Sequence, residues 1–479
     1  MNSLIVRAST GLGAVVLCAT CSYRPSIACA QDAAHDNATQ TTPERPQIRA
    51  DRRSEEDWSV LADPRVEREP LDDLKYIPLV PTDPKIYLSF GVNVRERFVL
   101  DHATFFGTPP GESGEWILSR LEWHADLRLG KHLQVFAQFT NALAPGKEKR
   151  LAVDQDRLDV EQAFIGFTEP FVGGTLRLRL GRHVLPFELQ RFVSVREGPN
   201  LRQSYDAAFA DFERGGWRVS GAYTQPVQIR DEHAFDDYSN HHLTFSGGRV
   251  QYRWSGSSQL SVSYSNYRQD DAVFASVRGN ERRNALDIRT SGTVNEFDWD
   301  VEGMNQSGSI GAQTIDAKAL GSSVGYTFVD VRWRPRMGFA VDVATGDRNP
   351  IDDRLDTFNP LFPNAYYLAG YTGFPNLIHV RPALTVHPAG TTNLTAAFGG
   401  QWRQTTADAV YVFPNVPLAG TIGVPGSYTG TYGELRGDWT VTPHYAFAFD
   451  AVHYVIGTAI RQAGGRDADY LSVQVNYRW

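Results

Sequence analysis

The chain alternates between apolar and polar residues from Ile86 to Trp479. Residues 468–479 place leucine, valine and tyrosine on one face and serine, glutamine, asparagine and arginine on the other. A period of two is typical of β-strands whose two faces meet different surroundings. Residues 117–129 repeat the pattern and put five ionisable or imidazole side chains in a row on one face, namely Arg120, Glu122, His124, Asp126 and Arg128. The pattern predicts an all-β protein.

Eighteen such segments can be delimited, and they exceed the five or six residues usual for strands of soluble proteins. They are residues 86–101, 116–129, 132–143, 157–169, 175–187, 204–213, 216–225, 242–254, 258–270, 284–294, 297–307, 314–328, 331–346, 376–387, 391–406, 428–440, 444–457 and 468–479. Short turns alternate between them with longer loops such as 347–375 and 407–427. Outer-membrane barrels have this asymmetry, with short periplasmic turns, long extracellular loops and an even strand number. We therefore predict that residues 86–479 form a closed transmembrane antiparallel up-and-down β-barrel of about 18 strands, with apolar side chains outward.

Residues 1–30 have the features of a secretory signal peptide: Arg7, an apolar stretch over 11–19, and the triplet Ala28-Cys29-Ala30. All three cysteines lie in this segment, so the exported chain has no thiol. A lipid anchor on Cys29 is the alternative, but Ser26 stands where lipoproteins usually carry leucine. Export and a barrel together predict the outer membrane of a Gram-negative bacterium.

Residues 31–85 differ from the rest, being rich in proline, acidic residues and arginine without a sustained strand or helix period. We expect a largely irregular periplasmic extension. It is either a mobile linker or a segment that enters the pore, and Trp58, Leu61 and residues 75–79 offer anchors in both cases. The sequence leaves the two open.

The net charge and the arginine content of the chain limit the classes of function that it can have. A net charge of −8 disfavours a nucleic-acid partner, and outside residues 1–30 no apolar run is long enough for a transmembrane helix. Of 47 basic residues 41 are arginine, and arginine outnumbers acidic residues at the inward strand positions. The guanidinium group stays charged at physiological pH and binds a carboxylate through two hydrogen bonds. We therefore expect the lumen to favour a carboxylated anion. Genome base composition, or simple pairing with acidic residues, would explain the arginines equally. Inward arginines assigned in this way include Arg177, Arg179, Arg381, Arg403 and Arg436.

A group of acidic residues on one predicted strand, Asp298, Asp300 and Glu302, has two interpretations. It either holds a divalent cation or pairs with the arginines of predicted strand 331–346, which are Arg332, Arg334 and Arg336. Pairing is favoured, and we predict neither a metal nor another cofactor. Residues 321–325 match the G-x-S-x-G pattern of hydrolases, but they lie in an alternating strand instead of a strand-turn-helix elbow. We predict that the protein is not an enzyme.

Several stretches resemble the alginate export family of outer-membrane proteins. They are residues 154–164 (DQDRLDVEQAF), 178–183 (LRLGRH) and 191–202 (RFVSVREGPNLR), with shorter matches at 75–79, 359–363, 376–377, 402–403 and 408–411. The resemblance covers residues from about Trp58 to Trp479 and implies a monomeric 18-stranded barrel with an arginine-lined constriction. The positions it marks as lumen or loop-base residues near that constriction are Arg157, Glu161, Arg179, Arg182, Arg191, Arg196 and Arg202. His183 departs from the family, where glutamine is more frequent, and this leaves substrate choice open.

Two functions follow. The first is a passive channel that passes an alginate-like uronate polymer from periplasm to exterior, with acidic neighbours keeping each arginine site shallow. Its partners would be membrane lipid, lipopolysaccharide, the anionic polysaccharide and periplasmic export components. The alternative is an anion-favouring diffusion porin that takes up small acids or sugars.

Overall fold

The computed structural model describes residues 43–109, 111–185, 191–275, 277–363 and 371–479, so the predicted signal peptide lies outside the described residues. Eighteen long antiparallel strands make up most of the structure. They are β1 (Ile86–His102), β2 (Gly114–Leu129), β3 (Leu133–Leu143), β4 (Asp156–Phe171), β5 (Gly174–His183), β6 (Tyr205–Arg214), β7 (Trp217–Gln228), β8 (Leu243–Arg253), β9 (Gln259–Phe274), β10 (Val277–Val294), β11 (Phe297–Ile310), β12 (Gln313–Thr327), β13 (Arg336–Ala344), β14 (Leu377–Ala389), β15 (Thr392–Trp402), β16 (Tyr428–Thr440), β17 (Tyr445–Ile456) and β18 (Ala468–Arg478).

The sheet closes on itself. Each strand pairs with its neighbours in chain order, and β1 pairs with β18 from Asn93 opposite Arg478 to His102 opposite Asp469. Closure leaves no row of unpaired backbone groups, which a spanning sheet could not tolerate in lipid. The predicted 18-stranded barrel is confirmed.

The outer surface is apolar and the inner surface carries the charges, as predicted. On β18, Leu471 and Val473 are exposed on the outside while Ser472 is buried. On β2, Ile117 is exposed while the charged Glu122 is only 1% exposed. Exposed apolar side chains on a closed barrel face lipid, and buried charges face the lumen.

The two rims differ. The rim that carries the start of β1 and the end of β18 has short turns, at 130–132, 172–173, 215–216, 254–258, 295–296, 328–335, 390–391 and 441–444. We call it the periplasmic rim. The opposite, extracellular rim carries the described residues of the segments 103–113, 144–155, 184–204, 229–242, 345–376, 403–427 and 457–467. Strict alternation of loop length fails at two places: β9 ends at Phe274 and β10 already begins at Val277, and a tight turn at 311–312 joins β11 to β12.

The loop predicted between residues 271 and 283 is therefore mostly strand. Ala272 pairs with Gly279 and Phe274 with Val277, so the ladder continues beyond the predicted ends of both strands. Valine and phenylalanine favour extended backbone, which extends the ladder. At the neighbouring hairpin, Gly311 takes the positive φ of 55° that a tight turn requires.

Arg332 and Arg334 are not inward strand residues, and that prediction was wrong. Strand β13 begins at Arg336, and both arginines are exposed in the turn 328–335 at the periplasmic rim. Positive φ angles of 66° at Trp333 and 45° at Arg334 interrupt the alternation, and Pro335 has no N–H for a ladder bond. The Arg332 guanidinium lies 5.1 Å from the Trp333 ring centre.

One side of the interior is filled by aromatic side chains. Described residues of the segments 184–204 and 345–376 fold inward and join residues of β6 to β14 in a single apolar core. Phe362 is at its centre, with ring centres 5.3 Å from both Tyr205 and Phe245. The assumption that apolar residues of the strands face lipid fails here, because inward-folded loops offer a second apolar surface.

The remaining regular elements are short. In the described residues the helical turns are Arg53–Glu55, Trp58–Ala62, Asp72–Lys75, Thr104–Gly107 and Thr458–Gln462, and the two-residue strands are Ile77–Pro78, Tyr238–Ser239, Arg354–Leu355, Tyr411–Val412 and Val416–Pro417. None of the helical turns has the length and apolar character needed to span a bilayer as a helix.

Leu435, which is 57% exposed on the outside of β16, tests which face meets lipid. We expect Leu435→Arg to lower the free energy of unfolding from lipid vesicles by about 2–4 kcal/mol, the cost of arginine near the bilayer midplane. Leu435→Ala is the matched control and should lose much less. Equal losses in urea titrations of the two variants would contradict the lipid-facing assignment.

Candidate functional site

The segment 191–204 enters the lumen and places Glu197 among three arginines. Period-two alternation turns Arg95 of β1 and Arg120 of β2 inward, and the sheet register sets them directly opposite each other. Two like charges in that position repel. The Glu197 carboxylate accepts a hydrogen bond from Arg120 and lies 3.6 Å from Arg95 Nη1, so it compensates both.

Arg202 follows on the same segment and completes the network. Its guanidinium donates to Glu197, to Glu122 of β2, and at 3.2 Å to Oε1 of Glu161 of β4. We call Arg95, Arg120, Glu122, Glu161, Glu197 and Arg202 the constriction network. Of these, Arg120, Glu122, Glu161 and Arg202 were predicted site residues, and the structure brings them together. Glu197 was missed, although it stands between Arg196 and Arg202 within a stretch that had been singled out.

Electrostatics keep Glu197 ionised. Enclosure by the barrel would raise its pKa, but the guanidinium groups of Arg120, Arg202 and Arg95 outweigh this and hold the pKa of Glu197 well below its usual range. Its side chain remains 42% exposed to the lumen. A carboxyl group with a depressed pKa keeps its stabilising contribution until the pH falls below the value of a free glutamate, about 4.3. Glu197 therefore stays ionised at physiological pH.

Backbone contacts pin the same segment to the barrel wall. Arg95 donates to the carbonyl oxygens of Glu197 and Pro199, at 3.0 and 2.7 Å, and Arg97 donates to that of Gly198 at 2.8 Å. The buried Asn200 side chain donates to three further carbonyl groups on the wall and its adjoining loop. Its position in the lumen is thus fixed by side chains that bind backbone.

A second charged cluster forms around Arg191. Its guanidinium lies 3.4 Å from Glu302 and 3.7 Å from Asp300, both on β11, and 3.3 Å from Asp342 on β13. Beside it, Arg336 holds Asp298 through two bonds of 2.8 Å. The acidic group of β11 is therefore paired with arginine, as favoured, but Arg336 is the one member of the predicted triplet that takes part.

Other predicted residues form local pairs on the inner wall. These pairs are Arg128 with Asp126, Arg177 with Asp211 and Glu213, Arg182 with Asp206, Arg381 with Glu434, and Arg436 with Asp438. Pairing of this kind sets a transverse field and leaves little net charge at each pair.

Two predicted residues lie away from the inner wall. Arg403 is buried at the base of the segment 403–427 and donates to its carbonyl oxygens, including that of Thr421 at 2.6 Å. Arg157 is exposed at the extracellular rim and lies 3.2 Å from Asp231. Both positions support loops.

Three of the predicted site arginines and their neighbours lack a carboxylate partner in the part of the chain that the structure describes. Within the described residues, Arg97, Arg179 and Arg196 form no ion pair with a carboxylate. The Arg179 guanidinium lies 5.1 Å from the ring centre of Phe164, and Arg196 Nη1 donates to Gln203 at 3.4 Å. Burial lowers the pKa of Arg196, as expected for a guanidinium with no counter-ion at hand. These three groups are available to a passing anion.

The N-terminal segment, residues 43–76, occupies the periplasmic end of the lumen. Arg53 donates to the backbone oxygen of Trp479 at 2.6 Å, and Arg128 of β2 donates to that of Ser54 at 2.7 Å. Gly91 on β1 makes room, because a Cβ there would lie 2.2 Å from the Arg53 guanidinium. Of the two alternatives that the sequence left open, these contacts match a segment that enters the pore.

An aromatic clamp fixes the end of this segment. Trp58 is 1% exposed, and the Lys75 ammonium lies 5.0 Å from its ring centre and 4.3 Å from that of Trp479. Burial lowers the pKa of Lys75 to about 7. The C-terminal residue of the barrel thus takes part directly in binding the N-terminal segment.

A closed barrel with a lipid-facing exterior and a charged constriction defines an outer-membrane channel of Gram-negative bacteria. Residues 86–474 match the family model described as alginate export, and the chain belongs to this family. No curated protein sequence matches the chain significantly. The predicted family and location are confirmed.

Solved structures agree on the fold. Pseudomonas aeruginosa OccK5 (OpdH) is similar with a TM-score of 0.54 and 12% identity, covering 82% of this chain and 97% of its own. A BenF-like porin from Pseudomonas fluorescens Pf-5 gives a TM-score of 0.55 and 10% identity, covering 82% and 99%. P. aeruginosa OccK2 (OpdF) in complex with glucuronate gives 0.52 and 10%, covering 82% and 97%. Ser323 of the G-x-S-x-G pattern lies within β12 of this barrel, in ladder pairing with both neighbouring strands.

Glu197→Gln should raise the anion selectivity of the pore. The amide keeps an oxygen that can accept from Arg120 and Arg202, but removes the negative charge that compensates three guanidinium groups. Reversal potentials in a KCl gradient across planar bilayers measure the change. Glu213→Gln, at a pair near the periplasmic rim, is the control, and an unchanged potential in Glu197→Gln would contradict the assigned place of Glu197 in the ion path.

Deletion of Gln31 to Asp72 should leave a folded barrel with a higher single-channel conductance, because it removes Arg53 and Trp58 from the lumen. Heat-modifiable migration in electrophoresis reports folding. The full-length variant Arg53→Met, which loses the bond to Trp479, should give an intermediate conductance. A folded deletion variant with wild-type conductance would show that the segment does not restrict the pore.

Proposed function

We propose that this protein is a passive channel that exports an alginate-like uronate polymer from the periplasm to the exterior. The observation that carries the proposal is that Arg97, Arg179 and Arg196 form no ion pair with a carboxylate of the described residues, whereas Arg128, Arg177, Arg182, Arg381 and Arg436 do. Each presents a planar donor fork that suits a carboxylate. Membership of the alginate export family supports the same substrate class.

The arrangement suits transfer of a polymer along successive sites. Arg179 lies midway along β5, whereas Arg97 lies in the extracellular half of β1, so the two are at different heights. Conduction needs binding that is favourable but shallow. Carboxylates of the constriction network repel an anion that lingers near Arg97, and this keeps dissociation fast. An extended polyuronate would exchange its carboxylates from one guanidinium to the next.

Export would require displacement of the N-terminal segment, because residues 43–76 lie at the periplasmic entrance. The driving force would come from the periplasmic concentration of the polymer. We propose a monomeric barrel that contacts membrane lipid and lipopolysaccharide on its apolar exterior, and periplasmic export components at the rim of short turns.

A second candidate function is uptake of small uronates or related acids. OccK2 (OpdF), a structure of similar fold, was crystallised with glucuronate. The same unpaired arginines would serve a monomeric uronate, so the two candidates share their binding chemistry and differ in the length of the solute.

Current block by oligouronates of increasing length separates the two. For the polymer channel, the block time should lengthen with chain length, and Arg179→Gln should shorten it by about tenfold, or ~1.4 kcal/mol, for a long oligomer. Arg332→Gln, in the exposed turn, is the matched control and should behave as wild type. Block times that are independent of length would exclude the polymer channel and favour the porin.

A further inference from the structure

Three carboxylates meet at the extracellular rim outside the constriction network. Asp156 and Asp159 lie at the start of β4, and Asp237 lies on the segment 229–242. One oxygen of each lies within 4.8 Å of the others. Ca²⁺–oxygen distances are about 2.3–2.6 Å, so oxygens bound to one ion are at most about 5 Å apart. The spacing therefore fits a shared cation.

The surroundings leave this group short of positive charge. Asp156 is 1% exposed, and neither of its oxygens accepts a well-formed hydrogen bond, although the backbone N–H of Leu158 is close. Arg182 lies 3.7 Å from Asp159, but it is shared with Asp206. Among the described residues, no arginine or lysine forms an ion pair with Asp156 or Asp237. A buried carboxylate without compensation is costly, and a bound cation would remove that cost.

A neutral oxygen faces the same place. Thr140 lies opposite Asp159 in the ladder, is 3% exposed, and its hydroxyl has no hydrogen-bond partner among the described residues. It lines one cavity together with Asp156 and Asp237. Hydroxyl and carboxylate oxygens are hard ligands that suit Ca²⁺. This unpartnered hydroxyl is an observation independent of the acidic cluster.

We propose that Asp156, Asp159 and Asp237, with the Thr140 hydroxyl, bind a divalent cation, preferably Ca²⁺, at the extracellular rim. This site differs from the expectation, drawn from the sequence, that the protein binds no metal, and the proposal does not depend on the nature of the transported solute. Glu161 and Arg202 line the same cavity. The cation would tie the segment 229–242 to β4 and stiffen the wall behind the constriction network.

Calcium binding by the full-length mature chain tests the proposal. The chain is refolded in detergent without lipopolysaccharide, freed of metal with a chelator and titrated with Ca²⁺ in a calorimeter. We expect one Ca²⁺ per chain, weaker binding of Mg²⁺, and at least about tenfold weaker Ca²⁺ binding in Asp156→Asn. Asp231→Asn, a rim carboxylate outside the cluster, should bind Ca²⁺ as wild type does.

Wild-type protein that binds no Ca²⁺, or an Asp156→Asn variant with wild-type affinity, would overturn the proposal. Should Asp156→Asn not reach the heat-modifiable folded state, Asp237→Asn on the half-buried loop replaces it, with the same expected loss. Ca²⁺ should also raise the temperature at which the wild-type barrel loses heat-modifiable migration, and the folded variant should show no such shift. An equal shift in both would also overturn the assignment.

Discussion

The structure depends on the requirement that every backbone group in lipid find a partner within the protein. A sheet meets it only by closing, and the pairing of β1 with β18 is that closure. Closure fixes which residues face inward. It thereby sets Arg95 opposite Arg120 inside a confined space, and the segment 191–204 supplies the carboxylate of Glu197 that makes this arrangement tolerable.

The lumen is divided into two regions with different physics. Around Phe362, loops and wall are joined by aromatic packing, so that side of the interior resembles the core of a soluble domain. On the side of β1 and β2, the wall is charged and the loop is held by guanidinium groups bonded to carboxylates and backbone oxygens. Apolar packing and charged contacts thus hold different parts of the inward-folded segments.

The strand pattern was enough to predict the barrel, because lipid and water impose opposite demands on alternate residues over the whole chain. The prediction of strand bounds failed where the regular alternation is interrupted. A register shift between Gln269 and Ala272 breaks the alternation there, and Pro335 separates Arg334 from the start of β13. Within the site, assigning alternate strand residues to the inner face identified Arg120 and Glu122, since both lie on a regular strand. The same rule missed Glu197 because this residue lies on a loop. Its position depends on how that loop folds through the lumen, and the alternation of apolar and polar residues contains no information about this.

Trp479 has a consequence for how the molecule is assembled. The backbone of this last residue receives Arg53 and its ring receives Lys75, so the place where the N-terminal segment docks is built partly from the final strand. Before β18 pairs with β1, that docking place is incomplete, because the contacts with Trp479 cannot form. A barrel that has not yet closed would therefore have an open periplasmic entrance. The N-terminal segment can bind there fully only when β18 pairs with β1.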